Sequence, residues 1–174
     1  MLKKLLGVAP KLEADGSYSP SKTALKLSVK DKTDYENIVY EKYQGDKKKI
    51  LVIFSEDKNL KMENGKMFST GNHPVEALLP MLHLKNAGFE FEIATSTGKP
   101  VVIEQWAFPE KDEHVNAIYN ELKSNLENPQ SLVDLFGSSQ PDSSSYAAIF
   151  IPGGHGAMIG LPDDENLGSF KLGA

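Results

Sequence analysis

The chain has 174 residues, a net charge of −5 and a sequence pI near 5.4. That size predicts one domain with a buried core, or a piece of a larger one, and the acidic balance argues against a dedicated nucleic-acid surface. Lysine is frequent, arginine is absent and there is no cysteine, which excludes bidentate guanidinium forks, disulfides, thiolate metal sites and a thiol nucleophile within these residues.

The amino-terminal MLKKLLGVAP carries an apolar run too short for a signal segment, with Gly7 inside it, and no stretch reaches membrane-spanning length. A cytoplasmic location is the resulting expectation. Residues 1–46 hold no period long enough to define a firm element and are expected to form an N-terminal arm on the main body, or a partly disordered leader. Ser21 suits the cap of a short helix over Thr23 to Val29. The alternation from Ile38 to Tyr43 reads as a short strand or a packing segment.

An α/β domain is expected from residue 47 to 174. Lys47 to Lys49 lead into Ile50 to Phe54, a continuous apolar strand of the kind found in parallel sheets covered on both faces. Ser55 to Asn72 is a long polar connection after that strand's carboxyl end, where open α/β sheets place ligands. A helix is expected over His73 to Ala87: Asn72 or His73 caps it, Pro74 suits its first position, and Pro80 should kink or end it. Phe89 to Thr95 is a strand, Val101 to Glu104 another short one, Asp112 to Leu126 a second helix, and Leu132 to Phe136 a helical turn. Gly137 to Ser145 reads as loop. Ala147 to Ile151 is again a buried-type apolar strand, stopped by Pro152 and followed at once by Gly153-Gly154-His155-Gly156. Strand, helix, strand, helical excursion, strand predicts a doubly wound parallel sheet.

Several residues carry two readings. Paired glycine N–H groups in the Gly153 to Gly156 turn suit an oxyanion hole, or the turn is only structural. Its glycine spacing, without a following Lys-Ser/Thr, is not that of a phosphate loop. His73 and Glu76 lie three residues apart on one helix face and suit acid–base or metal chemistry, or are simply a cap and a first-turn carboxylate. His83 reads as a core histidine and His114 as an exposed one. The nucleophile elbow G-x-S-x-G is absent, so a serine hydrolase is not expected.

The segments NGKMFSTGNHPVEALLPMLHL (Asn64 to Leu84), GFEFEIAT, QWAFPEKDE (Gln105 to Glu113) and AAIFIPGGHGAMIGLP resemble the ThiJ/PfpI superfamily, in its glyoxalase III and stress-chaperone deglycase branch, over roughly Lys48 to Leu167. The resemblance implies a flavodoxin-like sandwich of the class I glutamine amidotransferase-like kind. It further implies cofactor-independent conversion of methylglyoxal to lactate, deglycation of proteins and nucleotides, holdase binding of unfolded clients, and a homodimer. A small 2-oxoaldehyde or a glycated protein or nucleotide is the implied substrate; no cofactor and no membrane partner is implied. In the family, a cysteine thiolate at a strand-to-helix elbow is the nucleophile, a histidine follows it, a helix glutamate hydrogen-bonds the sulfur and backbone N–H groups hold the oxyanion. Glu76 matches that glutamate, and Gly153, Gly154 and His155 match the oxyanion and substrate-binding turn.

Two departures accompany the match. No cysteine is present, and the ending GSFKLGA leaves the family pattern after Leu167, so the resemblance implies a domain truncated at its C-terminal side and inactive alone. An unpaired parallel sheet edge and exposed apolar faces would follow. Some members of the branch hold zinc on two histidines and a glutamate; Lys85, Glu90 and Leu122 stand at those positions here, and no metal is expected. Three functions stand: one part of a glyoxalase III or deglycase, chaperone-like binding through exposed apolar surface, and a gene product without function.

Overall fold

The computed structural model describes residues 6–136 and 145–168. Two short strands come first, β1 (Lys11–Leu12) and β2 (Tyr18–Ser19), followed by helix α1 (Lys22–Ser28). Ser21 caps α1, its hydroxyl accepting the Ala24 N–H at 3.1 Å and satisfying a donor that the first turn leaves orphaned. Then come β3 (Lys49–Ile53), β4 (Leu60–Lys61), β5 (Met67–Phe68), α2 (Pro74–Asn86), β6 (Glu90–Thr95), α3 (Glu113–Glu127), β7 (Gln130–Ser131), α4 (Leu132–Phe136), β8 (Ala148–Phe150) and α5 (Glu165–Gly168).

The main sheet runs β7-β6-β3-β8, with every neighbouring pair parallel. β3 lies inside it and is buried on both faces because its side chains alternate between two cores. Ile50, Val52 and Phe54 meet Leu78 and Met81 of α2 and Val115, Ile118 and Leu122 of α3. Leu51 and Ile53 meet Ala94 of β6, Leu132 of α4, and Leu161. Each such side chain taken from water contributes about 1.5–3 kcal/mol. Helical cover on both faces of a parallel sheet is the flavodoxin-like arrangement, and the chain has that α/β fold. Asp112 starts α3 by accepting the N–H groups of His114 (3.1 Å) and Val115 (2.9 Å). Burial alone would push its carboxyl up. Hydrogen bonds from Thr33 and from those N–H groups outweigh burial and hold it below the ordinary carboxylate value.

The second sheet, β1-β2-β5-β4, joins the early residues to the long connection after β3: Tyr18 of β2 pairs in parallel with Phe68 of β5, and β4 and β5 form a hairpin. The sequence pattern shows only a polar connection over 55–72; the hairpin between β4 and β5 and the pairing of β5 with the distant β2, rather than local alternation, form these two-residue strands. Val101 to Glu104 is not a strand. It makes an isolated bridge between Ile103 and Asn72, in which the Asn72 N–H donates to the Val102 carbonyl at 2.7 Å and the Glu104 N–H to the Asn72 carbonyl at 3.0 Å, with Asn72 Nδ2 adding a bond to the Val102 carbonyl at 2.8 Å. Ile38 to Tyr43 is not a strand either, and Val39 is 93% exposed. Its aromatic residues pack instead: Tyr43 stacks on Phe89, and the Tyr40 hydroxyl lies 2.9 Å from His83 Nδ1.

α2 runs unbroken through Pro80, where proline removes one intrahelical donor but tertiary packing of Ala77, Leu78 and Met81 holds the turn. β8 was expected to be buried. Among the described residues it pairs only with β3, and Ala148 and Ile151 are exposed. Most of the serine-rich loop, residues 137–144, and the divergent ending from residue 169 onward lie outside the described residues.

Candidate functional site

β3 and β8 end side by side, and the chain segments that follow them meet. Pro152 closes the run out of β8, and His155–Met158 forms a 3₁₀ turn after the glycine pair. The His73 N–H donates to the Gly153 carbonyl at 3.0 Å, and the Gly156 N–H donates to the Gly71 carbonyl at 2.8 Å. The glycine turn is thereby stitched to the N-terminus of α2. Gly154 has φ +120°, and a Cβ there would collide with the His73 backbone nitrogen. A Cβ on Gly153 would fall on the Glu76 carboxylate oxygen Oε2. Glycine is needed at both positions by close approach, and at Gly154 also by backbone conformation.

The structure therefore brings Glu76 and Gly153 together. Glu76 sits in the first turn of α2 with its side chain 59% exposed. His73 is the N-cap: its Nδ1 accepts the Glu76 N–H at 3.4 Å and lies 4.0 Å from Glu76 Oε1. The capping role accounts for His73 without a metal. The N–H groups of Gly153 and Gly154 have no partner among the described residues, so both remain available as donors. The His155 N–H does not: it donates to Glu104 Oε1 at 3.2 Å. The His155 backbone is thus occupied, and its ring packs with Phe68 and Trp106.

Sequence reasoning missed the surroundings of that side chain. Glu104 is 1% exposed, and its Oε1 accepts the Thr70 hydroxyl at 2.9 Å and lies 2.8 Å from His155 Nδ1. Phe68 meets the imidazole edge-on at 5.3 Å, and Trp106 flanks it at 5.9 Å, held by its indole N–H donating to the Ser69 carbonyl at 2.9 Å. The one signal in the sequence was an acid closing the apolar run Val101 to Ile103 just before an aromatic residue. A cavity of about 800 Å³ opens beside this group, with Thr70, Glu104, Trp106 and Phe108 among its walls.

The remaining histidines are accounted for by packing. His83 bonds Tyr40 and lies 5.1 Å from the Tyr35 ring; His114 is exposed on one side and meets Tyr35 at 4.4 Å on the other. Lys85, Glu90 and Leu122 do not form a donor set. Lys85 pairs with Glu121, and Leu122 is buried in the core between β3 and α3. Among the described residues, no group of three or more His, Asp or Glu side chains is placed to hold a metal ion. Among the same residues, no helix is long and apolar enough to cross a membrane.

No protein-family model matches the chain. The protein/nucleic acid deglycase HchA of Escherichia coli O1:K1 / APEC is 47% identical over 153 residues, covering 88% of this chain and 54% of that protein. The protein of the same name from Pseudomonas aeruginosa (strain UCBPP-PA14) is 47% identical over 151 residues, covering 87% of this chain and 52% of that protein. Among solved structures, glyoxalase III from Candida albicans superposes with TM-score 0.52 at 24% identity, over 68% of this chain and 48% of that one. The Rapid Encystment Protein of Francisella tularensis superposes with TM-score 0.55 at 21% identity, over 68% of this chain and 50% of that one. The chain spans about half the length of the curated relatives it matches. With the Glu76–glycine-turn geometry and this identity together, the chain belongs to the ThiJ/PfpI superfamily, in the branch of the HchA-type deglycases.

Proposed function

We propose that these 174 residues supply the acid and the oxyanion cradle of a thiol-dependent deglycase or glyoxalase III site. The nucleophilic cysteine would come from polypeptide outside them. The observation that carries this reading is the placement of the Glu76 carboxylate directly over Gly153, beside two unpartnered backbone N–H groups. A carboxyl group there hydrogen-bonds an incoming sulfur and helps keep it as thiolate, the reactive form. Two free N–H donors there would stabilise the oxyanion formed when that sulfur adds to a carbonyl. Glu76, Gly153, Gly154 and His155 are the residues assigned to the site. The substrates are a small 2-oxoaldehyde or its adducts with protein or nucleotide amines, and no metal or organic cofactor enters.

Complementation tests this. The chain alone, given methylglyoxal, should yield no lactate. Mixed or co-expressed with the cysteine-bearing second half of an HchA-type deglycase, it should yield lactate, and Glu76→Gln should lower the rate by about a hundredfold or more, the scale of a lost acid–base group. Lactate production by the cysteine-free chain alone would overturn the reading.

A binding function is the second reading, favoured by one observation. Leu27 (84% exposed), Val39 (93%), Ile151 (46%) and Met158 (60%) present apolar side chains to solvent, and β8 has an outer edge without a partner among the described residues. Such surface suits unfolded clients. Suppression of aggregation of a heated client at sub-stoichiometric amounts would support it, and no suppression would remove it.

A further inference from the structure

His155 is held more firmly than an oxyanion turn requires. Glu104 Oε1 accepts two donors, the Thr70 hydroxyl at 2.9 Å and the His155 backbone N–H at 3.2 Å, and lies 2.8 Å from His155 Nδ1. One oxygen thus fixes both the backbone and the ring of the same residue, and Phe68 and Trp106 close on the ring from two sides. The Glu104 side chain is fully shielded (0% exposed) while that of His155 is 47% exposed. The ring's inner nitrogen is therefore occupied. Its outer nitrogen, Nε2, has no hydrogen bond among the described residues.

We propose that Glu104 and His155 form a proton-transfer dyad of the glycine-turn site, Glu104 as positioning residue and His155 Nε2 as the atom that accepts and returns a substrate proton. Oε1 already accepts the Thr70 hydroxyl and the His155 backbone N–H, so the dyad places the neutral ring's proton on Nδ1, donating to that same oxygen, with the free lone pair on Nε2. The other carboxylate oxygen, Oε2, is buried without a partner, and no lysine is paired with Glu104 among the described residues. Glu104 thus holds the ring in one orientation from its inner side.

The chemistry that would use this pair follows from the proposed function, on which the inference rests. Turning a 2-oxoaldehyde into a 2-hydroxy acid breaks the C1–H bond, forms a C2–H bond and adds the oxygen of water at C1. Oxidation at C1 balances reduction at C2, so no external oxidant enters. Once the sulfur has added to C1, a base that takes the C1 proton leaves the electron pair in a C1–C2 enediol, its conjugate acid delivers the proton to C2, and water then displaces the sulfur from C1. His155, two residues from Gly153, stands at the turn where that carbonyl would be held.

Nitrogen-15 NMR of the imidazole side chains of the 174-residue chain, above the imidazole titration range, tests the positioning directly. His155 should show the proton on Nδ1. Glu104→Leu should move it to Nε2, the form favoured by an unconstrained histidine, whereas Thr70→Val, which removes only a donor to the same oxygen, should leave it on Nδ1. A wild-type His155 protonated on Nε2 would overturn the proposal even if Glu104→Leu fails to fold. In the complementation assay, His155→Asn should lower kcat about a hundredfold to ten-thousandfold with KM little changed, the range of general acid–base groups. Unchanged kcat would overturn the catalytic part. Absence of any turnover by the complemented wild type would instead count against the thiol-site reading and leave the tautomer result to decide the dyad.

Discussion

Ile50 to Phe54 and Ala147 to Ile151 are both five-residue apolar runs, yet one lies inside the sheet and the other at its edge. β3 has a strand on either side and helices on both faces, so Leu51, Val52 and Ile53 are completely shielded. β8 pairs only with β3 among the described residues, and the alanine at its start and Ile151 just after its end reach solvent. An apolar run states that a segment suits burial; the number of neighbours decides whether it is buried. The edge strand is also the one that leads into the glycine turn. That turn is held in place less by β8 than by its hydrogen bonds to Gly71 and His73.

The largest expected effect tests this contrast at its centre. Leu51→Ala should cost about 2–5 kcal/mol in chemical denaturation, as a fully buried leucine with little room to collapse. Ile149→Ala on β8 should cost less, about 1–2 kcal/mol, because its side chain is only partly buried. Equal losses would mean that another polypeptide covers β8 in solution.

Next in size is the turn. Gly154→Ala should destabilise by about 1–3 kcal/mol, the cost of forcing a side chain into a strained backbone region, and it should also displace α2's first turn, since the new Cβ meets the His73 nitrogen. In the complementation assay it should reduce activity together with stability. An unchanged melting temperature would show that the stitch between turn and helix is not what holds the edge strand.

The smallest effect concerns α3, which covers one face of β3. Asp112→Ala should cost about 0.5–2 kcal/mol through loss of the cap, plus the tie to Thr33 of the early residues. The folded carboxyl lies below its ordinary value, so its contribution is complete above the unfolded pKa of about 3.9 and is lost as pH falls through the folded value. Asp112→Asn keeps a capping oxygen but removes the titration. Its stability should therefore fall less steeply with acid than the wild type, and parallel acid profiles would contradict this.

Much of the fold was legible because it is local. Ser21, His73 and Asp112 each announce a helix start, and each caps one. The apolar face of Val115, Ile118, Leu122 and Leu126 has the helical period and is buried. The short strands β4 and β5 were not legible, because two residues carry no period and pairing with β2 comes from far along the chain. Val101 to Glu104 misled for a related reason: its apolar residues pack without a ladder, since Asn72 takes its carbonyl.

The site divides along the same line. Glu76 and the glycine turn were readable from sequence, because a helix start and a strand end each have a residue pattern of their own. Glu104 was not, because a carboxylate becomes a partner for His155 only when a segment fifty-one residues away folds against it and excludes water. The sequence by itself determined the longer helices and the strands β3 and β6, the caps, the need for glycine and the absence of a thiol in these residues. The tertiary structure decided which apolar strand is central and which is an edge, and that His155 faces outward on a buried carboxylate, since neighbours and exclusion of solvent are properties of the packed chain.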